Sequence, residues 1–220
     1  MSLGRTILAR GPWSPDQVEV RWAQEHYAPP EAHTLAADAA VAALAERGSP
    51  SHDGLSARLV GHEHLADGRL VMDLQPARWS LRLVEGDASF SMAALCAVRD
   101  SEGRWLAGRR AAWLASWPGR WALGAGGAVD PGESPVETLA RELLEEWAVE
   151  AAVLRGEALL QLPHSMVMFV GQAWLPPGAE VTMDHEHDDY AWWPADPQEW
   201  PAEADEPLRR MAAMLSEAPS

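Results

Sequence analysis

"GGAVDPGESPVETLARELLEEWAV", residues 126–149, joins a glycine-bearing loop to a well-specified helix and places three glutamates in the helix's last turns. Ser134, Pro135 and Glu137 mark the helix start, with a serine cap, a proline at the first helical position and a glutamate closing a Ser-x-x-Glu box. Val136, Leu139, Ala140, Leu143 and Trp147 recur every three or four residues, so this side is expected to pack on a sheet. Glu142, Glu145 and Glu146 have the same spacing, which sets their Cβ atoms about 5–6 Å apart. Like charges at that distance cost a helix ~0.2–0.5 kcal/mol per pair, and the dipole at a helix C-terminus also disfavours anions. A hard divalent cation reverses both penalties, because Mg2+ prefers carboxylate oxygens and keeps positions open for phosphate oxygens. Taken alone, the three carboxylates fit a solvated acidic face equally well.

The flanking residues separate the two readings. Gly127 is followed after five residues by Glu133, and after seven more by Arg141-Glu142-Leu143; one residue on stand Glu145-Glu146, and one further on Ala148-Val149. This order resembles the Nudix box, the signature of hydrolases that cleave nucleoside diphosphates linked to another group. It departs from the pattern at Ala148, where the family has glycine; alanine there makes a left-handed exit costlier by ~1 kcal/mol or shifts the helix stop by a residue.

The resemblance covers about residues 88–215 and implies an α/β (α+β) Nudix fold, a mixed β-sheet between helices. It implies that Glu142, Glu145 and Glu146 hold Mg2+ or Mn2+, and that one of them, most often the equivalent of Glu142, deprotonates the attacking water. It further implies that Arg141 pairs with Glu133 to brace loop against helix, and that Gly126 and Gly127 let the backbone approach the metal or the phosphates. An additional carboxylate from a later loop is expected within "MDHEHDDYAWWP". Of Glu186, Asp188 and Asp189, the acid-before-aromatic arrangement of related enzymes favours Asp189, before Tyr190. Arg109 and Arg110, at the end of the strand before the loop, are candidates for phosphate contact. Trp121 and the pair Trp192-Trp193 are candidates for stacking a base. His185 and His187 with Glu186, or His62 with His64, have a spacing that also suits a metal cluster, although separation by two puts any such pair on one face of a strand.

The rest of the chain supplies the alternation the fold needs. "SFSMAALCAVRD", "RWLAGRRAAW", "EAAVLRGEALLQL", "HSMVMFVGQAWL" and "VTMDHEHDDYAWWP" read as strands, and residues 206 to about 215 as a closing helix. "LASWPGRWALGAGGAVDPGE" reads as a loop leading to the box helix. Residues 1–85 read as a small N-terminal α+β unit, expected to serve dimerisation or as a substrate lid, ahead of a hydrolase domain over 86–220. It contains a helix in "PPEAHTLAADAAVAALAERG" stopped by Gly48, and a β-hairpin turning at Ala66-Asp67-Gly68.

Composition limits the partners. The chain has 220 residues and a net charge of −16, from 33 acidic and 17 basic residues, all of the latter arginine. That balance opposes sequence-independent binding to nucleic acid or an anionic membrane, and the absence of lysine removes Schiff-base and P-loop chemistry. Cys96, the single cysteine, lies in an apolar run and reads as a core residue. No apolar run approaches a secretory signal or a membrane span, so a cytoplasmic protein is expected. The expectation is a Mg2+- or Mn2+-dependent pyrophosphohydrolase acting on a small nucleotide such as ADP-ribose, a sugar nucleotide or a (d)NTP, with a homodimer as the candidate assembly. The same resemblance leaves open a catalytically silent ligand-sensing module or an isoprenoid diphosphate isomerase.

Overall fold

The computed structural model describes residues 6–48, 53–84, 89–114 and 117–216. The expected boundary at residues 85 and 86 lies outside them. The N-terminal part contains β1 (Thr6–Trp13), β2 (Val18–Trp22), α1 (Glu31–Glu46), β3 (Leu55–His64) and β4 (Leu70–Arg78). Next come β5 (Met92–Arg99), β6 (Trp105–Arg110), β7 (Trp121–Leu123), β8 (Ala125–Ala128) and α2 (Pro135–Trp147). The chain finishes with β9 (Val153–Gln161), β10 (Val167–Trp174), β11 (His187–Trp193) and α3 (Glu206–Ser216).

The large sheet runs β1-β9-β10-β5-β6-β11, with β7 added to β6 and β8 to β5. Only β5 and β10 pair in parallel; the other ladders are antiparallel, which makes the sheet mixed. Period-two alternation sorts its side chains between two cores. On β5, Met92, Ala94, Cys96 and Val98 enter one core and Ala97 the other; on β10, Val167, Phe169 and Ala173 oppose Val170. The first core is closed by Val136, Leu139, Leu143 and Trp147 of α2, and the second by Leu208, Ala212 and Leu215 of α3. The sheet therefore lies between two helices.

Two departures from the sequence reading stand out. The segment read as a loop contains β7 and β8, because "WALGAGGA" carries no alternation to announce a strand. Gly124 links the two with φ +62°, and a Cβ there would meet the Cys96 carbonyl oxygen at 1.8 Å, so only glycine fits. The other departure concerns the N-terminal stretch. Its α1 and its β3–β4 hairpin form as read, but β1 is an edge strand of the large sheet, paired with β9. Trp13, fully buried, stacks on Phe169 at 6.2 Å. The second sheet, β2-β4-β3, contributes Ala57, Leu59, Leu70, Met72 and Leu74 to the same core as Met92 and Leu139. One core thus runs through both halves of the chain.

On α2, Ser134 accepts from the Glu137 amide and Glu137 reaches back to Ser134, so the capping box forms as read. Ala140 is exposed rather than buried, and Thr138 takes the inward place by donating to Glu133 Oε2 at 2.8 Å. Ala148 adopts the left-handed conformation, φ 51° and ψ 37°, and its amide closes on Leu144 O. The alanine thus keeps the turn at the expense of Cβ strain. Ala148→Gly is expected to stabilise the fold by about 1 kcal/mol in urea unfolding; an unchanged midpoint would show that no strain is held there. Among the described residues, no helix is long and apolar enough to cross a membrane.

Candidate active site

Pairing of β8 with β5 sets Gly126 and Gly127 alongside the last turns of α2. Glu146, 4% exposed, accepts the Gly126 amide at 3.1 Å. Glu142, 9% exposed, presses against Gly127 so closely that a Cβ there would sit 2.1 Å from its Oε1. The glycines thus admit the two carboxyl groups to the backbone, and Gly126 also lies against the Ala94 carbonyl of β5. Glu142 and Glu146 stand one helical turn apart on this face. Glu145 points elsewhere: it is largely exposed and bonded to Arg141 Nη1 at 3.0 Å.

Arg141 organises this edge of the helix. Its Nε and Nη2 grip the two oxygens of Glu133 at 2.8 and 3.2 Å, Nη2 also reaches Ala128 O at 3.2 Å, and Nη1 reaches Glu142 Oε1 at 2.7 Å. A planar guanidinium with five donors suits this branching task, and an ammonium would not. Burial disfavours the Glu133 charge, but the bonds from Arg141 and Thr138 prevail and hold its carboxyl below the usual range.

The electrostatics of the buried pair run the other way. Burial pushes Glu146 well above the ordinary 4.5, with Glu142 and Glu186 adding to the rise and the Gly126 amide and Arg110 opposing it. Glu142 is raised too, by burial first, against the pull of Arg141. Folded chains therefore hold protons on these groups to higher pH than unfolded ones. Their contribution to stability is complete below the ordinary glutamate value and is lost as pH rises through the raised values. Without divalent ions, the melting temperature of the native protein relative to Glu146→Gln is expected to decline as pH rises above the ordinary glutamate value. A constant difference between the two would show that Glu146 titrates normally.

Segment 184–187 closes the site. His187 is buried against the Trp147 ring, centroids 4.6 Å apart, with Nδ1 3.1 Å from Asp184 Oδ1 and Nε2 3.7 Å from Glu146 Oε2. Burial lowers the His187 pKa, with Asp184 opposing. Arg110 lies 3.7 Å from Glu186, and the Ala111 amide bonds Glu186 O. The structure thus brings Arg110, Asp184, Glu186 and His187 to the helix carboxylates. Asp189, favoured from the sequence, instead stands exposed and opposes Arg109 at 3.9 Å. A period of two would put His187 and Asp189 on one face; the register shift between them in the β11–β6 ladder separates the two, and nothing in "DHEHDD" announces it.

Arg109 and Trp121 meet elsewhere. They are register partners on β6 and β7, and with Arg120, Glu203 and Asp205 they line a cavity of about 440 Å³. Asp205 pairs with Arg120 and accepts from the Leu208 amide at the start of α3. Trp121 rests on Trp193 at 5.5 Å, which in turn meets Trp200 at 5.0 Å. Trp193 belongs to this aromatic block; Trp192 lines a smaller cavity of about 190 Å³ with Asp100 and Arg104.

Among the described residues, no three His, Cys, Asp or Glu side chains converge as a finished metal site. What is present fits a hard cation in kind: two adjacent buried carboxyls keep a raised pKa even with Arg141 on Glu142 and Arg110 nearby, so the ionised pair is under-compensated. Glu145 would join them only by releasing Arg141.

The NUDIX domain family model matches residues 90–214. The fold is a Nudix fold. The chain belongs to the NUDIX domain family. Among solved structures, a MutT protein from Methanosarcina mazei Go1 is 23% identical over 58% of this chain and 95% of its own, with a TM-score of 0.46. A MutT NUDIX hydrolase from Burkholderia pseudomallei is 20% identical over 57% and 97%, with a TM-score of 0.47. A C. elegans Ap4A hydrolase binary complex is 22% identical over 57% and 98%, with a TM-score of 0.42. The comparison with curated proteins gave no match.

Proposed function

We propose that the chain hydrolyses a pyrophosphate bond in a nucleoside diphosphate linked to another moiety, such as ADP-ribose, a sugar nucleotide or a (d)NTP. The observation that carries this reading is the buried Glu142–Glu146 pair, set against the glycine strand and surrounded by acids. In this reading Glu142 and Glu146, joined by Glu145, hold Mg2+ or Mn2+. Bound there, the ion offsets the charge of the diphosphate and makes water a stronger acid. One carboxylate of the pair accepts the proton of the attacking water. Arg110, near Glu146, is placed to contact a phosphate, and Arg141 with Glu133 keeps the carboxylates aimed. The cavity of about 440 Å³ lies within the ~300–1,000 Å³ range of small-molecule sites and suits the nucleoside half, with Trp121 as stacking platform. In this reading the expected role of Asp189 reduces to holding Arg109 at that cavity's rim.

The isomerase alternative draws no support from Cys96, which is fully buried in the core with its thiol pushed up to about 12 by burial. The deciding experiment is a Mg2+-supplemented screen over dNTPs, ADP-ribose, NADH, dinucleoside polyphosphates and sugar nucleotides, with products identified by mass spectrometry. Turnover of at least one class is expected. Tight binding with no turnover on any of them would replace the enzyme reading with a ligand sensor.

A further inference from the structure

The loop between β8 and α2 carries Glu133, and it is secured by residues that lie far outside the matched domain. The Ala57 amide of β3 donates to Val129 O at 2.7 Å, holding the beginning of the loop. The indole Nε1 of Trp22, the last residue of β2, donates to Glu133 O at 3.1 Å, holding its end. Between these points Asp130, Pro131 and Gly132 are exposed. The two anchors belong to one small sheet, since β2 and β3 both pair with β4. That sheet is fastened in turn by the Leu59 amide on Phe90 O at 2.9 Å and by a bridge between Arg58 and Ser91.

We propose that Trp22 is a positioning residue of the active site, acting through Glu133 and Arg141 on Glu142. The chain of contacts has no gap. Trp22 holds the Glu133 carbonyl, the Glu133 carboxylate takes two donors of Arg141, and Arg141 Nη1 reaches Glu142 Oε1 at 2.7 Å. Freed of the indole bond, the Glu133 backbone can drift, and a bidentate ion pair tolerates little drift before one of its two bonds is lost. Misplacement by about 1 Å at a catalytic group costs up to about 10²-fold in rate. The small N-terminal sheet is therefore an outer wall of the catalytic loop. This inference rests on the proposed metal site for its Mn2+ arm and on the pyrophosphohydrolase reading for its kinetic arm.

The test compares the full chain with Trp22→Phe, which keeps an aromatic ring against the core and removes the donor, and with Trp22→Phe in a Glu133→Ala background. Mn2+ affinity by calorimetry, kcat, KM and melting temperature are measured for each. One lost hydrogen bond of ordinary strength predicts about a three- to tenfold weaker Mn2+ affinity and a similar fall in kcat, with KM nearly unchanged. In the Glu133→Ala background, Trp22→Phe is expected to change neither quantity further, because the link it acts through is already gone. Additive losses in the two backgrounds, or unaltered Mn2+ affinity in Trp22→Phe, would overturn the proposal and leave Trp22 a packing residue. If the wild-type chain hydrolyses no nucleotide, the function reading fails, and the Mn2+ arm still decides the role of Trp22.

Discussion

Replacing Glu146 by glutamine is expected to reduce Mg2+-dependent turnover by about 10²–10⁴-fold without unfolding the protein. Glutamine matches the shape of glutamate and its carbonyl can still accept the Gly126 amide, the contact seen at 3.1 Å. What disappears is the charge. At this position the charge is poorly hydrated, 4% exposed, and pressed by Glu142 and Glu186, so the native chain is under electrostatic stress there. Removing it relieves that stress, and the metal-free variant should melt no lower than the wild type near neutral pH. Calorimetry should show weakened Mg2+ and Mn2+ binding alongside the kinetic loss. Near-normal turnover in a folded Glu146→Gln enzyme would refute the metal-site role of this carboxylate.

The second large effect concerns residues 1–85. As a lid or dimerisation module they would be removable at the cost of affinity or assembly. The packing points to a harsher outcome. Trp13, Leu59, Leu70, Met72 and Leu74 are buried in the core that also holds Met92, Phe169 and Leu139. Each such side chain contributes about 1.5–3 kcal/mol by burial, and their loss exposes comparable partner surface, against a total stability of about 5–15 kcal/mol for a domain. Deletion also strips β9 of its partner β1 and leaves an open strand edge, which invites aggregation. The fragment 86–220 is therefore expected to be insoluble or to lack a cooperative melting transition. A soluble, cooperatively melting fragment of that length would show that the matched domain folds by itself.

Much of the central fold was legible because its signals are local. The capping box at Ser134 and Glu137, the spacing of Val136, Leu139, Leu143 and Trp147, and the C-terminal helix depend only on near neighbours in the chain, and they appear where the pattern puts them. Arg141 and Glu133 are eight residues apart, close enough for one loop and two helical turns to unite them. By contrast, β1 and β8 are defined by ladders to distant strands. Neither "TILARGPW" nor "AGGA" carries a pattern that would reveal its partner.

The sequence by itself determined the box helix, the alternating strands and the set of carboxylates from which the site is drawn, because helix periodicity and capping are short-range. Only the tertiary structure decided how that set divides. Glu142 and Glu146 are buried against glycine backbone and Glu145 is left to Arg141, while His187 and Glu186 turn toward the site and Asp189 away from it. It also decided that Trp22 and Ala57, far back in the chain, bond the loop between β8 and α2. The reason is physical: burial and its effect on charge depend on which distant surfaces meet, and spacing along the chain does not encode that meeting.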